Sequence, residues 1–461
     1  MTATQKVQNP RTQFSGSIVV GKDVLELLSS AMYVDPLTIY REFIQNAADS
    51  IDEAIGAGLY SGDDKPRIDI NLDLVARTAR IRDNGTGIPR NWVLRRLTSI
   101  GASKKRGTGA RGFRGVGRIS GLAYCQELIF RTRATSDEPV YEMHWDCRLL
   151  KELLRDPVSD LDLQSLLHMI IEAGDTVPDA DFPTHFFEVE LRQIPRHRND
   201  ILLNEDVVSH YLSQVGPVPF SSRFRFGKQI QQLLEEFNAG KTYEIFVNGA
   251  KKPIIRPFQV DFEGKKGSNN AKAELESFQI SGIGDGTDAI GWVLHHDYLG
   301  AIPDAVGIKG LRARVGNIQI GDSVTFNSVF PETRFNSWAI GEIHVLSPRI
   351  VPNGRRDDFE HSKHYANLLN SLAPKAKAIA KRCREQSATR TRAKTVNTDI
   401  PAPNVNLDWS RARAFLAKHA KKKLSQKHRN ILKNLLRRNG GVTYAELYSC
   451  IVQAHAKSSR T

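Results

Sequence analysis

The segment that most constrains the fold spans residues 40–54 and reads YREFIQNAADSIDEA. In a helix, with about 100° per residue, Glu42, Asn46 and Asp49 fall on one side. The opposite side is apolar and carries Ile44, Ala47, Ile51 and Ile55. The pattern predicts a helix with one face in the core and a row of two carboxylates and one amide on the other face.

The start of this helix is predicted by Asp35 and Pro36, a capping residue followed by a proline suited to a first turn. Two interpretations of the polar row are open. An ordinary amphipathic surface helix would turn the row to solvent, whereas a functional helix would direct it into a site. The helix alone favours the surface interpretation, so the segments that follow have to decide between the two.

The hydropathy and cysteine patterns predict a soluble protein of a reducing compartment. Hydrophobic residues make up 40% of the 461 residues and charged residues 25%, as in globular proteins of two or three domains. No apolar run approaches the roughly 20 residues of a membrane span, and the first ten residues lack a secretory apolar core. The four cysteines lack zinc-ligand spacing. We therefore expect a cytoplasmic protein with free thiols and no membrane partner.

Two predicted strands form a hairpin that leads into residues 83–88, DNGTGI. Apolar and polar residues alternate at 68–74, and a second strand follows at 79–82. Asp83 ends that strand and can accept a hydrogen bond from a purine amino group. Gly85 and Gly87 allow a tight turn that a flat ligand can approach closely. A plain Asx-type turn is the alternative, since DNG is a common sequence for such turns.

A glycine-rich segment at 107–118, GTGARGFRGVGR, follows Lys104 and Lys105. Backbone amides and a helix N-terminus of this kind hold phosphates, although such segments also serve as plain linkers. The spacing of Gly112, Gly115 and Gly117 is neither the Rossmann order nor a Walker loop.

Further strands are predicted at 127–133, 141–145 and 184–191, with an acidic, irregular insertion between the last two. Together these elements predict an α+β fold, a two-layer α/β sandwich with helices over one face of a mostly antiparallel sheet.

Three motifs in this order resemble the GHKL ATPase superfamily, which includes gyrase, histidine kinases, the mismatch-repair ATPase and the ninety-kilodalton heat-shock chaperone. The motifs are Glu42-x3-Asn46-x2-Asp49, Asp83-x-Gly85-x-Gly87 and Gly112-x-x-Gly115-x-Gly117, with Thr184 as a fourth element. Residues 14–195 are most similar to the heat-shock chaperone. The resemblance implies the Bergerat ATP-binding fold over residues 14–200.

The resemblance also implies a role for each matched residue. Glu42 would be the general base that activates the attacking water, and Asn46 would ligate Mg²⁺. Asp83 would read the adenine amino group, Asp49 and Thr184 would support the base pocket, and the glycine loop would close over the phosphates. The remaining residues implied to contact ATP are Gly85, Gly87, Ile88, Lys104, Lys105, Gly112, Phe113, Arg114, Gly115, Val116 and Gly117.

A helical connector at 201–239 and a second α/β domain at 240–370 are predicted next, with strands at 243–249, 278–280, 289–294 and 311–315. In the superfamily this domain returns a basic residue to the terminal phosphate, and the resemblance selects Arg356. The other candidates are Lys309, Arg312 and Arg314. Local pairing of Arg355 and Arg356 with the two aspartates that follow is an equally good interpretation. A metal site at residues 295–297, HHD, lacks further ligands at fixed spacing.

The last part of the chain, 371–461, is predicted to be a basic helical tail with a linker near 395–406. It contains 21 Lys and Arg against 4 Asp and Glu, whereas the rest of the chain is nearly neutral within a net charge of +14. Basic helices at 409–418 and 428–437 favour contact with nucleic acid phosphates or, equally, a helical docking element.

The sequence thus predicts a Mg²⁺-dependent ATPase that resembles the heat-shock chaperone. In this hypothesis ATP closes the lid, and a homodimer forms transiently through the ATP-binding domain to clamp a client protein. The alternative is a DNA-associated clamp of the mismatch-repair or MORC type, within a phage-defence or restriction system. The basic tail is smaller than a chaperone dimerisation domain, which weakens the client hypothesis without changing the ATP site.

Overall fold

The computed structural model of the protein describes residues 20–26, 35–62, 64–100, 117–135, 139–157, 161–176, 182–196, 198–259, 261–264, 267–270, 274–284 and 286–397, with isolated stretches beyond residue 405. The chain divides into two compact units, Met1–Lys381 and Arg382–Thr461. The first unit contains two large sheets and the whole of the site described below.

The first sheet has seven strands in the order β5-β4-β3-β6-β2-β1-β7. The strands are β1 Arg67–Asp73, β2 Thr78–Asp83, β3 Glu127–Arg133, β4 Tyr141–Asp146, β5 Ile171–Asp175, β6 Phe186–Arg192 and β7 Glu244–Val247. Neighbours are antiparallel except for β1 and β7. The predicted hairpin and the mostly antiparallel sheet are therefore confirmed.

Helices cover one face of this sheet and share a single apolar core with it. They are α1 Asp23–Glu26, α2 Thr38–Gly56, α3 Arg90–Thr98, α4 Cys147–Arg155, α5 Leu163–Ile170 and α6 Glu205–Val215, and a 3-10 helix spans Gly117–Ala123. Along β2, Ala79 and Ile81 are buried in the core, while Thr78, Arg80 and Arg82 are only half-buried. The predicted two-layer α/β sandwich is confirmed.

The segment between β4 and β6 corrects the prediction of an irregular insertion, since it contains α4, α5 and β5. Asp146 caps α4 by accepting a hydrogen bond from Leu149 N at 2.8 Å, and Asp162 caps α5 by accepting one from Ser165 N at 2.7 Å. Acidic residues that look irregular in sequence are thus helix caps, which satisfy otherwise unpaired amides of a first turn.

The second sheet has five strands in the order β10-β11-β14-β12-β13. The further elements are α7 Gly227–Glu236, a hairpin of β8 Asp261–Gly264 and β9 Gly267–Asn270, then β10 Leu275–Ser281, β11 Thr287–Leu294, β12 Gly310–Val315, β13 Ile318–Ile320, β14 Ile340–Val345 and α8 Lys363–Asn397. The strands predicted at 278–280, 289–294 and 311–315 are confirmed. Glu342 lies buried in this sheet between Arg256 and Arg314.

Strand β7 pairs in parallel with β1, with Ile70 opposite Val247, so this strand belongs to the first sheet. The sequence groups the same residues with the second domain. The domain boundaries at 200, 240 and 370 stay predictions.

In the second unit, β15 Asn406–Leu407 pairs with β16 Val442–Thr443. Most of the predicted helices at 409–418 and 428–437 lies outside the described residues. Among the helices that the structure describes, none combines the length and the apolar character that crossing a bilayer requires.

Candidate functional site

The polar row of α2 lies inside the protein. Glu42 and Asp49 are 5% and 4% exposed, and Asn46 is half-buried. The interpretation as a surface helix is therefore wrong. The helix begins at Thr38, after a turn in which Asp35 accepts a hydrogen bond from Leu37 N at 3.1 Å, and Ile55 at its far end is exposed rather than in the core.

The Glu42 carboxylate lies where three parts of the chain meet. A Cβ atom built on Gly117, at the end of the glycine-rich segment, would collide with Glu42 Oε2. On the other side, Arg356 Nε lies 3.3 Å from Glu42 Oε1, and Arg41 Nε lies 3.7 Å from the same oxygen. Glu42 Oε1 accepts no hydrogen bond from the residues that the structure describes. A buried carboxylate oxygen in this condition is suited to bind a water molecule or a ligand.

Arg356 reaches Glu42 from a tight loop at 352–359 that follows the second sheet. Its φ is +57°, a left-handed conformation that is uncommon for a residue with a side chain. Gly321 N donates to the carbonyl of Arg356 at 2.8 Å, and Arg41 Nη2 donates to the carbonyl of Arg355 at 3.0 Å. The loop is thus held by both the second sheet and α2.

The two arginines of this loop have different partners. Arg355 pairs locally with Asp357 at 3.2 Å, and both side chains are more than half exposed. Asp358 accepts hydrogen bonds from Phe359 N and from the Tyr365 hydroxyl, both at 2.8 Å. Local pairing therefore accounts for Arg355, whereas Arg356 is directed at Glu42.

Asp83 lies buried at the end of β2, 3% exposed. Its Oδ1 accepts a hydrogen bond from Gly85 N at 2.9 Å, which is the Asx-type turn that the sequence allows. Burial raises the pKa of Asp83 to about 7, and the hydrogen bonds from Gly85 N and the Ser50 side chain oppose that rise. A buried carboxyl beside a glycine turn is suited to accept a hydrogen bond from a polar heterocycle.

Glycine is required at both glycine positions of this turn. Gly87 has φ +62°, and a Cβ atom there would lie 2.8 Å from the carbonyl oxygen of Phe186. A Cβ atom on Gly85 would lie 2.7 Å from Asp83 Oδ1. The turn therefore packs backbone directly against the neighbouring strands and α2.

The other predicted site residues are placed as follows. Ile88 is half-buried and its amide donates to Thr132 Oγ1 at 2.8 Å, whereas Thr184 is exposed and lies two residues before β6. Lys309 pairs with Asp304, and Arg312 donates to Gln319 Oε1 at 2.9 Å inside the second sheet. The residues of the glycine-rich segment before Gly117 lie outside the described residues, and these include Gly112, Phe113, Arg114, Gly115 and Val116. Lys104 and Lys105, which precede the segment, also lie outside the described residues.

Arg41 and Gln45 of α2 lie at the site, although neither was predicted as part of it. Arg41 holds the loop at 352–359, and Gln45, 1% exposed, has a side-chain oxygen without a hydrogen bond from the described residues. The sequence signal for both residues is weak, because each is only a long polar side chain at a helix position outside the apolar face.

The oxygen donors of the site fit a magnesium ion that arrives with a phosphate ligand. Within the described ranges there is no group of three His, Cys, Asp or Glu side chains able to hold a metal alone. Mg²⁺ in nucleotide sites keeps several waters and needs one or two protein oxygens, which Asn46 beside Glu42 can supply. His295 is engaged with Tyr298 at 2.6 Å and with Glu276 at 3.0 Å, so its surroundings are those of a hydrogen-bonded core residue.

Comparison with known proteins agrees with this geometry. Residues 40–172 match the family of histidine kinase-, DNA gyrase B-, and HSP90-like ATPases. The chaperone protein HtpG is 29% identical over 142 residues in Salmonella paratyphi A and in Salmonella typhi, and 28% identical in Escherichia coli O1:K1 / APEC. Each match covers 27% of this chain and 23% of the relative, so the chain spans about a quarter of the length of these relatives. Residues 40–172 are therefore similar to GHKL ATPases, and in this region the chain resembles the chaperone HtpG.

Proposed function

We propose that the protein binds ATP and hydrolyses it in a Mg²⁺-dependent reaction. The observation that carries the proposal is the position of the Glu42 carboxylate, buried on α2 between the end of the glycine-rich segment and an arginine of the second sheet's loop. A carboxylate, an amide oxygen and a guanidinium are the groups that position water, metal and phosphate in phosphoryl transfer.

Each residue has one task in this mechanism. Asp83 accepts a hydrogen bond from the adenine amino group, and the Gly85–Gly87 backbone lies against the ring. Glu42 orients the attacking water and accepts its proton, which a carboxylate in contact with that water can do. Arg356 donates to the oxygens of the terminal phosphate, because its planar fork stabilises charge spread over several oxygens. Asn46 would hold Mg²⁺, which would supply positive charge to offset that of the phosphates.

Substituting Glu42 tests the proposal directly. We expect Glu42→Ala to bind ATP with nearly unchanged affinity and to lose turnover by about 10²- to 10⁴-fold, the range for loss of a general base. Calorimetry gives the affinity and phosphate release gives the turnover. The control is Glu53→Ala, since Glu53 is exposed on the same helix. Unchanged turnover in Glu42→Ala would remove Glu42 as the base.

For the biological role, we propose a chaperone-like clamp in which ATP closes the glycine-rich lid and promotes a transient homodimer around a client protein. Its support is the similarity of the ATPase domain to a protein named as a chaperone. A second candidate is an ATP-dependent clamp on DNA. The observation that favours it is the charge of residues 371–461, with 21 Lys and Arg against 4 Asp and Glu.

A further inference from the structure

We propose that His185 is a positioning residue for the nucleotide, because it holds the Asp83–Gly87 turn in the conformation that presents the Asp83 carboxyl. The inference rests on the proposed function. The observation behind it is a hydrogen bond of 2.7 Å between His185 Nδ1 and the carbonyl oxygen of Gly85, with His185 only 8% exposed.

The donor in this hydrogen bond is known from its partner. A carbonyl oxygen only accepts, so Nδ1 of His185 carries the proton. That requirement is met by the neutral imidazole protonated at Nδ1 and by the imidazolium alike.

Gly85 matters because its amide and its carbonyl contact different parts of the site. Its amide donates to Asp83 Oδ1 at 2.9 Å, while the carbonyl of the same residue accepts from His185. Glycine has wide freedom in both backbone dihedrals, so a turn containing it needs outside contacts to keep one conformation. Without the His185 contact, Gly85 can rotate, and the Asp83 carboxyl is then held by the Ser50 side chain but no longer by the Gly85 amide.

Other hydrogen bonds hold Asn84 and Thr86, whereas the carbonyl oxygen of Gly85 is contacted by His185. The Tyr60 hydroxyl donates to the carbonyl of Asn84 at 3.0 Å, and Thr86 N donates to the carbonyl of Ser50 at 3.3 Å. The Tyr60 ring also packs edge-on against the His185 ring, with 5.9 Å between centroids. His185 thus lies between the ring of Tyr60 and the carbonyl of Gly85, and it follows Thr184 directly in the sequence.

Three substitutions separate the hydrogen bond from the bulk of the ring. An asparagine amide nitrogen lies about where Nδ1 lies, whereas a glutamine amide nitrogen lies about where Nε2 lies. We expect His185→Asn to keep ADP affinity within about threefold of the parent. His185→Gln and His185→Leu should weaken it about tenfold, the cost of one neutral hydrogen bond. At saturating ATP, kcat should change little in all three, since Glu42 and Arg356 lie elsewhere.

Hydrogen exchange supplies a second readout that needs no nucleotide. Amide protection at Gly85 and Thr86 should fall in His185→Gln and His185→Leu and persist in His185→Asn, while thermal unfolding of the Asn and Gln variants stays similar. Equal affinities in the Asn and Gln variants, or parent-like affinity in the Leu variant, would overturn the inference. A parent protein that binds neither ADP nor ATP would instead refute the proposed function, and the inference with it.

Discussion

Burial of the Asp83 carboxyl makes the stability of the folded protein depend on pH. Burial raises its pKa to about 7 from the ordinary 3.8, so the folded protein holds a proton that the unfolded chain has released. Between about pH 4 and about pH 7 the folded state therefore binds more protons than the unfolded state, and the free energy of unfolding falls as pH rises. Above that window the cost of a buried charge is present in full.

The residue-scale prediction concerns Asp83→Asn without nucleotide. Because the amide is neutral, we expect the variant to be about 1 kcal/mol more stable than the parent at pH 8 and no more stable at pH 4. Denaturant unfolding across this pH range measures the difference, with exposed Asp23→Asn as the control. The same Asp83 variant should lose nucleotide binding. Parallel pH profiles, or parent-like ATP affinity, would contradict these expectations.

At the scale of elements, the loop at 352–359 gives the sharpest comparison, because two adjacent arginines have different environments. Arg356→Ala removes the cation beside Glu42, and we expect ATP turnover to fall by at least about 10²-fold, as when one group that stabilises developing charge is removed. Arg355→Ala removes an exposed local ion pair and should leave turnover near that of the parent. Single-turnover kinetics of the two variants checks the expectation. Equal losses in both would mean that the loop acts through its fold alone.

The predictable parts of the fold and site are those whose conformation is determined by residues close together in the sequence. Alternation along β1 and β2 and the 3.6-residue period of α2 depend on nearest neighbours, so strands, helix and polar row could be read from the sequence. The direction of Arg356 could not, since Asp357 and Asp358 offer partners close in sequence. Its left-handed backbone and its contact with Glu42 depend on Arg41 and Gly321, which lie far away in the chain.

Short helices were missed for a related reason. Helices α4 and α5 have nine and eight residues, too few to be stable alone, and they form because Leu150, Leu166 and Ile170 bury against the sheet. His185 was missed because nothing in its sequence neighbourhood identifies the carbonyl that it contacts, 100 residues earlier in the chain.

On the scale of the whole molecule, the basic tail separates the two proposed roles. We expect deletion of residues 397–461 to leave ATP turnover in place and to abolish salt-dependent retention on DNA. Losing many phosphate contacts removes both the affinity and its dependence on salt. Retention measured at low and raised salt checks this. The control is deletion of 441–461, which removes only two of the basic residues. If the undeleted 461-residue chain ignores DNA at low salt, the DNA clamp is excluded.

Strand β7 determines how this protein can be divided. Its four residues complete the first sheet beside β1, and the Tyr243 hydroxyl just before it donates to Asp52 of α2 at 2.6 Å. A recombinant fragment that stopped at residue 200 would leave the edge of β1 unpaired, the kind of exposed edge that templates aggregation. A fragment that extends past Val247 keeps that edge covered, and it therefore suits crystallisation and ligand screening of the region that contains the first sheet.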